Sequence, residues 1–258
     1  MDLKLKDKVA WVTGSSKGIG RACARRLAEE GCRVLLNGRD AAALEEARKG
    51  FSKEFGEARV AASAGDVQQA AAAKAAVEEC RKRWGRLDIL VANAGSGRIG
   101  GAYEPTEKDL DEAFGVNLTT ATQALRAALP LLEASGDGAV VVIGSIAGLE
   151  DLGAPAAYSA AKAALHAWAK TQARSLAARK VRVNTLIPGN ILFPGGAWDL
   201  RLKKAKDKVD EYIRRDVPMA RFGTDDEIAD AAAFLASPRA SFVTGAALVA
   251  DGGQTREF

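Results

Sequence analysis

A single α/β domain, a doubly wound parallel sheet of about seven strands flanked by helices, is the fold this sequence predicts. Short apolar runs alternate with amphipathic or alanine-rich segments along nearly the whole chain, which is the pattern of strands buried on both faces and helices that cover them. The first apolar run opens into the glycine-rich turn GSSKGIG and then into an amphipathic segment. Later runs also end in small or polar residues, so the residues able to do chemistry gather at the carboxyl ends of the strands. A length of 258 residues suits one undivided α/β domain with a sizeable core.

The first strand is VAWVT, Val9 to Thr13, and RACARRLAEEG is its helix, stopped by Gly31. Between them Gly14, Gly18 and Gly20, with Ser16, Lys17 and Ile19 in the same loop, form a G-x-x-x-G-x-G turn. A sharp turn needs the first glycine, and the later ones allow close approach of a pyrophosphate to the helix N-terminus, as in Rossmann-type folds. RVLLN, Arg33 to Asn37, is the second strand. In NAD-binding folds an acid near its end meets the ribose 2′-hydroxyl, but here Gly38 and Arg39 precede Asp40. Arg39 is suited to a 2′-phosphate, with Lys17 as a second cation, and this favours NADP(H) over NAD(H). The other reading makes Arg39 a surface residue at a helix entry, with Asp40 as the cap.

A helix over about Ala41 to Phe55 and a strand near Arg59 to Ser63 follow, ending at Gly65, Asp66 and Val67. Asp66 meets an adenine amino group or caps the next helix, Gln68 to Trp84. The fourth strand, DILVA, ends in Asn93, Ala94 and Gly95, small enough for backbone to approach the adenine ribose. One long helical region is predicted from Thr106 to Leu132. Asn117 stands inside it, and an Asn in such apolar surroundings requires a buried polar network.

Strand five, AVVVI, delivers Ser145, and thirteen residues later Tyr158 stands four before Lys162 on a helix that begins near Pro155. That spacing puts phenol and ammonium on one face, one turn apart. A free phenol ionises near pH 10, so the cation is what lets it exchange protons near neutrality. His166 lies a further turn along; it is a tempting relay, but a packed or subunit-facing seam with Trp168 and the alanines is the preferred reading. Strand six, VRVNTLI, ends in Pro188 and Gly189. The segment after it, about 190–217, turns from glycines and aromatics to a strongly charged helix and suits a substrate lid, its lysines solvated or attracting an acidic substrate. A helix near Asp225 to Ala236 and a strand from Ala246 to Ala250 close the chain. Glu150 and Asp151 belong to a solvated loop or meet a polar substrate.

Composition excludes much else. The cysteines, Cys23, Cys32 and Cys80, are odd in number and have no ligand spacing, and His166 is the only histidine. No metal site, disulfide framework or His-based hydrolase is expected. The net charge of +4 is dispersed, without a basic helix for nucleic acid. The charged N-terminus MDLKLKDK and the absence of a long apolar run predict a cytoplasmic protein with no membrane partner.

Taken together, TGSSKGIG at Thr13 to Gly20, Asp66, NAG at Asn93 to Gly95, Asn117, Ser145, YSAAK at Tyr158 to Lys162 and PG at Pro188 and Gly189 resemble the short-chain dehydrogenase/reductase family over about Asp7 to Gly253. The resemblance implies that Tyr158 exchanges a proton with a carbonyl or alcohol oxygen while hydride moves to or from a nicotinamide. It implies that Lys162 binds the nicotinamide ribose, that Ser145 holds the substrate oxygen, and that Asn117 positions a water beside Lys162. Ile191 matches a backbone contact to the carboxamide. Phe193 departs from the family, which usually has Thr there, so a hydroxyl contact to the cofactor is missing and the lid entrance is more apolar. Ala92 departs more mildly.

The nearest general likeness is to 3-oxoacyl-thioester reductases, and family members are usually tetramers joined through the helix that carries Tyr158; the face from Ala160 to Ala177 would permit that, so a homotetramer, or a homodimer, is expected. The expected function is therefore NADP(H)-dependent reduction of a carbonyl compound or oxidation of a secondary alcohol. The alternatives are a non-catalytic dinucleotide-binding regulator, an NAD-dependent alcohol dehydrogenase, and an epimerase or dehalogenase-like enzyme that uses the same cofactor for an internal redox step.

Overall fold

The structure, a computed structural model, describes residues 1–97 and 103–256. Strands β1 (Val9–Val12), β2 (Arg33–Gly38), β3 (Val60–Ala64), β4 (Ile89–Ala92), β5 (Gly138–Ile143), β6 (Val181–Pro188) and β9 (Ala247–Ala250) form one sheet in the order β3-β2-β1-β4-β5-β6-β9. Every pairing in it is parallel. The order runs outward in both directions from β1 and β4, so the chain switches direction between them and leaves a crevice at their carboxyl ends.

The pleat sorts side chains onto two faces with period two. Ala10 and Val12 join the core under α1 (Gly18–Glu29), α2 (Ala41–Phe55) and α8 (Asp225–Ala236). Val9 and Trp11 join the opposite core, under α3 (Ala70–Trp84), α5 (Thr120–Ala134) and α6 (Ala156–Leu176). The three thiols lie in these cores, and burial pushes each up to about 12, which removes them from nucleophilic chemistry near neutral pH.

Helices α2 and α8 have the expected bounds. Helix α3 starts two residues later than the sequence predicts. Asp66 accepts the Gln68 N–H at 3.0 Å and its carbonyl accepts the Gln69 N–H at 2.9 Å, so a turn intervenes before the helix. The single helix predicted over Thr106 to Leu132 is divided in two. Between α4 (Glu107–Phe114) and α5 lies a π-helical turn, Gly115–Thr119, whose extra residue changes the phase of the helix at Asn117.

A second departure concerns the charged segment after β7 (Ile191–Leu192). Helix α7 (Ala197–Asp216) is broken at Ala205, whose backbone is non-helical (φ −154°, ψ 58°). Trp198 and Tyr212 would stand about 20 Å apart on a straight helix. Their rings instead stack at 5.3 Å, so α7 is a folded pair of arms. Leu202 from one arm and Val209 and Ile213 from the other join a small apolar cluster. Strand β8 (Gly223–Thr224) pairs with β7 and anchors the base of the pair. Among the described residues no helix is long and apolar enough to cross a membrane.

Candidate active site

Thr13 and Asn93 fasten the switch point. The Thr13 hydroxyl accepts the N–H groups of Asn93 and Ala94, and the Asn93 amide donates back to the carbonyls of Thr13 and Gly14 at 2.9 and 3.1 Å. The glycine turn is thereby held against the end of β4. Gly14 and Gly18 have φ values of +63° and +56°, which side chains resist, and a Cβ on Gly20 would collide with the Asn93 amide and the Gly14 carbonyl. No side chain caps the start of α1, so its first N–H groups are available to an anion.

Two adjoining cavities, of about 330 and 320 Å³, share Gly14, Lys17, Asn93 and Gly95. The first runs past Ser16 and Ala94 to Arg39, Asp66 and Val67; the second runs past Ile19 and Gly20 to Ser145, Tyr158, Lys162, Pro188, Gly189 and Ile191. Together they form a groove that crosses the uncapped N-terminus of α1, with a shape and a central anion cradle that fit a dinucleotide. At its far end Asp40 caps α2 by accepting the N–H groups of Ala42 and Ala43. The Arg39 guanidinium is exposed, lines the first cavity and lies 3.9 Å from Asp66.

At the other end, α6 places Tyr158 and Lys162 beside Ser145. The Lys162 ammonium is buried, donates to the Ile143 carbonyl at 2.9 Å and lies 5.9 Å from the Tyr158 ring centroid. Burial lowers its pKa to about 8. Burial also holds the Tyr158 phenol above its ordinary value, while its hydrogen bond with the Ser145 hydroxyl acts in the lowering direction. This is opposite to the lowering expected from a neighbouring cation. The physical reason is that Lys162 is turned to a strand carbonyl and the desolvation of the ring prevails.

Asn117 is fully used: its Oδ1 accepts the Ser96 N–H at 3.0 Å, and its amide donates to the Ser96 and Ala113 carbonyls. It pins the segment after β4 close to Lys162, so close that a Cβ on Gly95 would meet both Asn117 Oδ1 and Lys162 Nζ. The buried polar network inferred from the sequence is therefore a clamp on backbone.

His166 has a role the sequence reading missed. Its Nε2 accepts the Ser145 N–H at 3.3 Å, and a Cβ on either Gly144 or Gly148 would strike its ring. The imidazole thus supports the loop carrying Ser145, where a packed or subunit-facing seam with Trp168 and the alanines was expected; two glycines spaced around a serine were the available signal. Burial, then the Lys162 charge, lowers its pKa to about 4. Below the ordinary value of 6.5 the unfolded chain takes up a proton that the folded one refuses until about pH 4. Stability should therefore drop as the pH is lowered across that window, by about 3 kcal/mol from this residue alone. Urea unfolding at pH 7 and pH 4.5 should show a smaller loss for His166→Gln than for the parent protein; an equal loss would contradict this.

Phe193 lies on the glycine turn: a Cβ on Gly18 would sit 2.6 Å from its ring. The apolar lid entrance expected from this residue thus takes the form of a ring over the start of α1. Ile191, in β7, is buried and its side chain packs toward Gly223. Glu150 accepts the Arg256 N–H and Asp151 that of Gly153, so both serve the loop and chain end, and neither lines the groove. No cluster of metal-ligating side chains occurs among the described residues.

Comparison with known proteins agrees with this geometry. The family described as enoyl-(acyl carrier protein) reductase matches residues 14–255. The chain is 35% identical over 255 residues to 2-(S)-hydroxypropyl-CoM dehydrogenase 3 of Xanthobacter autotrophicus, covering 99% of each. It is 34% identical over 246 residues to a 3-oxoacyl-acyl-carrier-protein reductase of Staphylococcus aureus, covering 95% of this chain and 97% of that one. Among solved structures, L-sorbose reductase of Gluconobacter frateurii complexed with NADPH and L-sorbose superposes with a TM-score of 0.93 at 32% identity over all of both chains. With a seven-stranded sheet of this order and these relatives along its full length, the chain belongs to the short-chain dehydrogenase/reductase family of oxidoreductases.

Proposed function

We propose that this protein interconverts a ketone and a secondary alcohol with NADP(H), with Asn117, Ser145, Tyr158 and Lys162 as its catalytic set. The observation that carries the reading is the meeting of the dinucleotide-sized groove and a further cavity at Ser145 and Tyr158. Bound NADPH supplies the hydride for reduction. The Ser145 hydroxyl holds the carbonyl oxygen, and the Tyr158 hydroxyl gives it a proton as negative charge develops there. A phenol held above its ordinary pKa keeps that proton until it is needed. Lys162, still protonated at pH 7, stabilises the resulting phenolate and binds the ribose hydroxyls. Asn117 fixes the backbone beside Lys162 and positions water there. Ile191 offers backbone to the carboxamide, and Asp66 and Val67 flank the adenine.

The preference for NADPH rests on Arg39 and Lys17, with Asp40 committed to its helix cap. NADPH complexes among the similar structures, of that sorbose reductase and of a Pseudomonas aeruginosa short-chain oxidoreductase (32% identity, TM-score 0.91, 98% of this chain and 100% of that one), support it. The test is a paired titration with NADPH and NADH, read through the four Trp residues. NADPH should bind at least about tenfold more tightly, and Arg39→Ala should remove most of that difference by weakening NADPH alone. Equal binding of the two would overturn the preference.

The substrates named for the relatives, 2-(S)-hydroxypropyl-CoM, a 3-oxoacyl-acyl-carrier-protein and L-sorbose, support oxygen-bearing carbon as the reacting centre. We further propose a cytoplasmic homotetramer or homodimer. Ala160, Ala163 and Ala167 are exposed on α6, and Leu248 and Val249 are partly exposed on edge strand β9, as close packing of copies would require.

A further inference from the structure

Beyond Tyr158 the groove opens into a cavity of about 450 Å³ roofed by the two arms of α7. Apolar side chains, Leu152, Pro155 and Val209 among them, line much of it. Two cations, Arg201 from the first arm and Lys208 from the second, line the same space. They share it because the chain folds back at Ala205; on a straight helix they would lie two turns apart along the axis.

The charges around them are asymmetric. No Asp or Glu lines this cavity among the described residues. Three other cations of α7 are neutralised within the helix, Lys203 by Asp199, Lys206 by Asp210 and Arg215 by Asp216, and the remaining two, Lys204 and Arg214, do not line this cavity. Arg201 and Lys208 have neither an ion pair nor a hydrogen bond to protein among the described residues. The Arg201 guanidinium is oriented all the same, lying 4.7 Å over the Trp198 ring, which is itself stacked on Tyr212. Tyr212 is fixed in turn by a hydrogen bond from Gln254 at 2.8 Å. A stacked guanidinium with its edge free is prepared for a forked contact to an anion.

We propose that the substrate is a carbonyl compound with an anionic group, a carboxylate, sulfonate or phosphate, at the end of a mostly apolar stem, and that Arg201 and Lys208 hold that group while the carbonyl lies at Tyr158. This rests on the carbonyl reductase reading for the position of the reacting end. The cations are specificity residues, remote from the chemistry, and act on binding.

The probes are methyl ketones of increasing chain length that end in a carboxylate, with the corresponding sulfonates, phosphate esters and neutral methyl esters. With NADPH, the acids should exceed the esters in kcat/KM by about tenfold or more, and the best terminal group identifies the anion. Arg201→Ala and Lys208→Ala should each raise KM for the acids severalfold with kcat little changed, Arg201→Lys should recover part of the loss, and all three should leave the esters as they were. Equal use of acids and esters by the parent protein, or equal loss on both in the variants, would overturn the proposal. If no probe is turned over, the catalytic reading fails. Binding of the same acids and esters to the NADPH complex, followed by quenching of Trp198 with Trp198→Phe as control, then decides the anion site alone: selective, Arg201-dependent binding of acids sustains it, and indifference to charge rejects it.

Discussion

Tyr158→Phe should lower kcat by about a thousandfold or more while leaving the dissociation constant for NADPH unchanged. The substitution removes a single hydroxyl, the one hydrogen-bonded to Ser145, and keeps the ring that packs at the end of α6. Groove, glycine turn and Arg39 are untouched, so an effect on cofactor binding would show that the hydroxyl also holds the groove in shape. Turnover within a few-fold of the parent would remove Tyr158 as the proton donor. Such a result would favour the dinucleotide-binding regulator only if the parent protein also lacked activity.

Lys162→Met should abolish activity and, at the same time, stabilise the cofactor-free protein. The ammonium is buried against one carbonyl oxygen and its pKa stands at about 8 against an ordinary 10.5. That difference corresponds to roughly 3 kcal/mol of desolvation cost, present in full at pH 7, where both folded and unfolded chains hold the proton. Between about pH 8 and pH 10.5 the unfolded chain keeps a proton the folded one has lost, so this residue makes stability rise with pH across that window. Urea unfolding should give the Lys162→Met variant a higher midpoint than the parent at pH 7, with the gain shrinking toward pH 10. A variant less stable than its parent at pH 7 would mean that the hydrogen bond to Ile143 outweighs desolvation. The residue would then be a structural support first.

Much of the fold was legible because the signals are local. Glycine turns, caps and apolar runs are adjacent in sequence to the elements they define, and α2 and α8 have the bounds read from them. Tyr158, Lys162 and Ser145 were legible for a related reason, since helical spacing and a strand end put them together. Three features escaped. The π turn at Asn117 differs from an α-helix by one inserted residue and leaves the apolar pattern almost intact. The break at Ala205 falls in KKAKDK, which contains neither glycine nor proline, and it lets the half-buried rings of Trp198 and Tyr212 stack. A tertiary contact decided against local helix propensity there. His166 escaped because its role depends on two glycines in another element, Gly144 and Gly148.

The most direct test of hydride transfer at Tyr158 uses NADPH deuterated on the reactive face of the nicotinamide ring, incubated with the enzyme and the best ketone of the series above. Deuterium is expected on the carbinol carbon of the product alcohol, one atom per NADPH oxidised, and Tyr158→Phe should stop both together. NADPH oxidation without deuterium in the alcohol, or alcohol labelled only from solvent, would contradict hydride transfer at Tyr158.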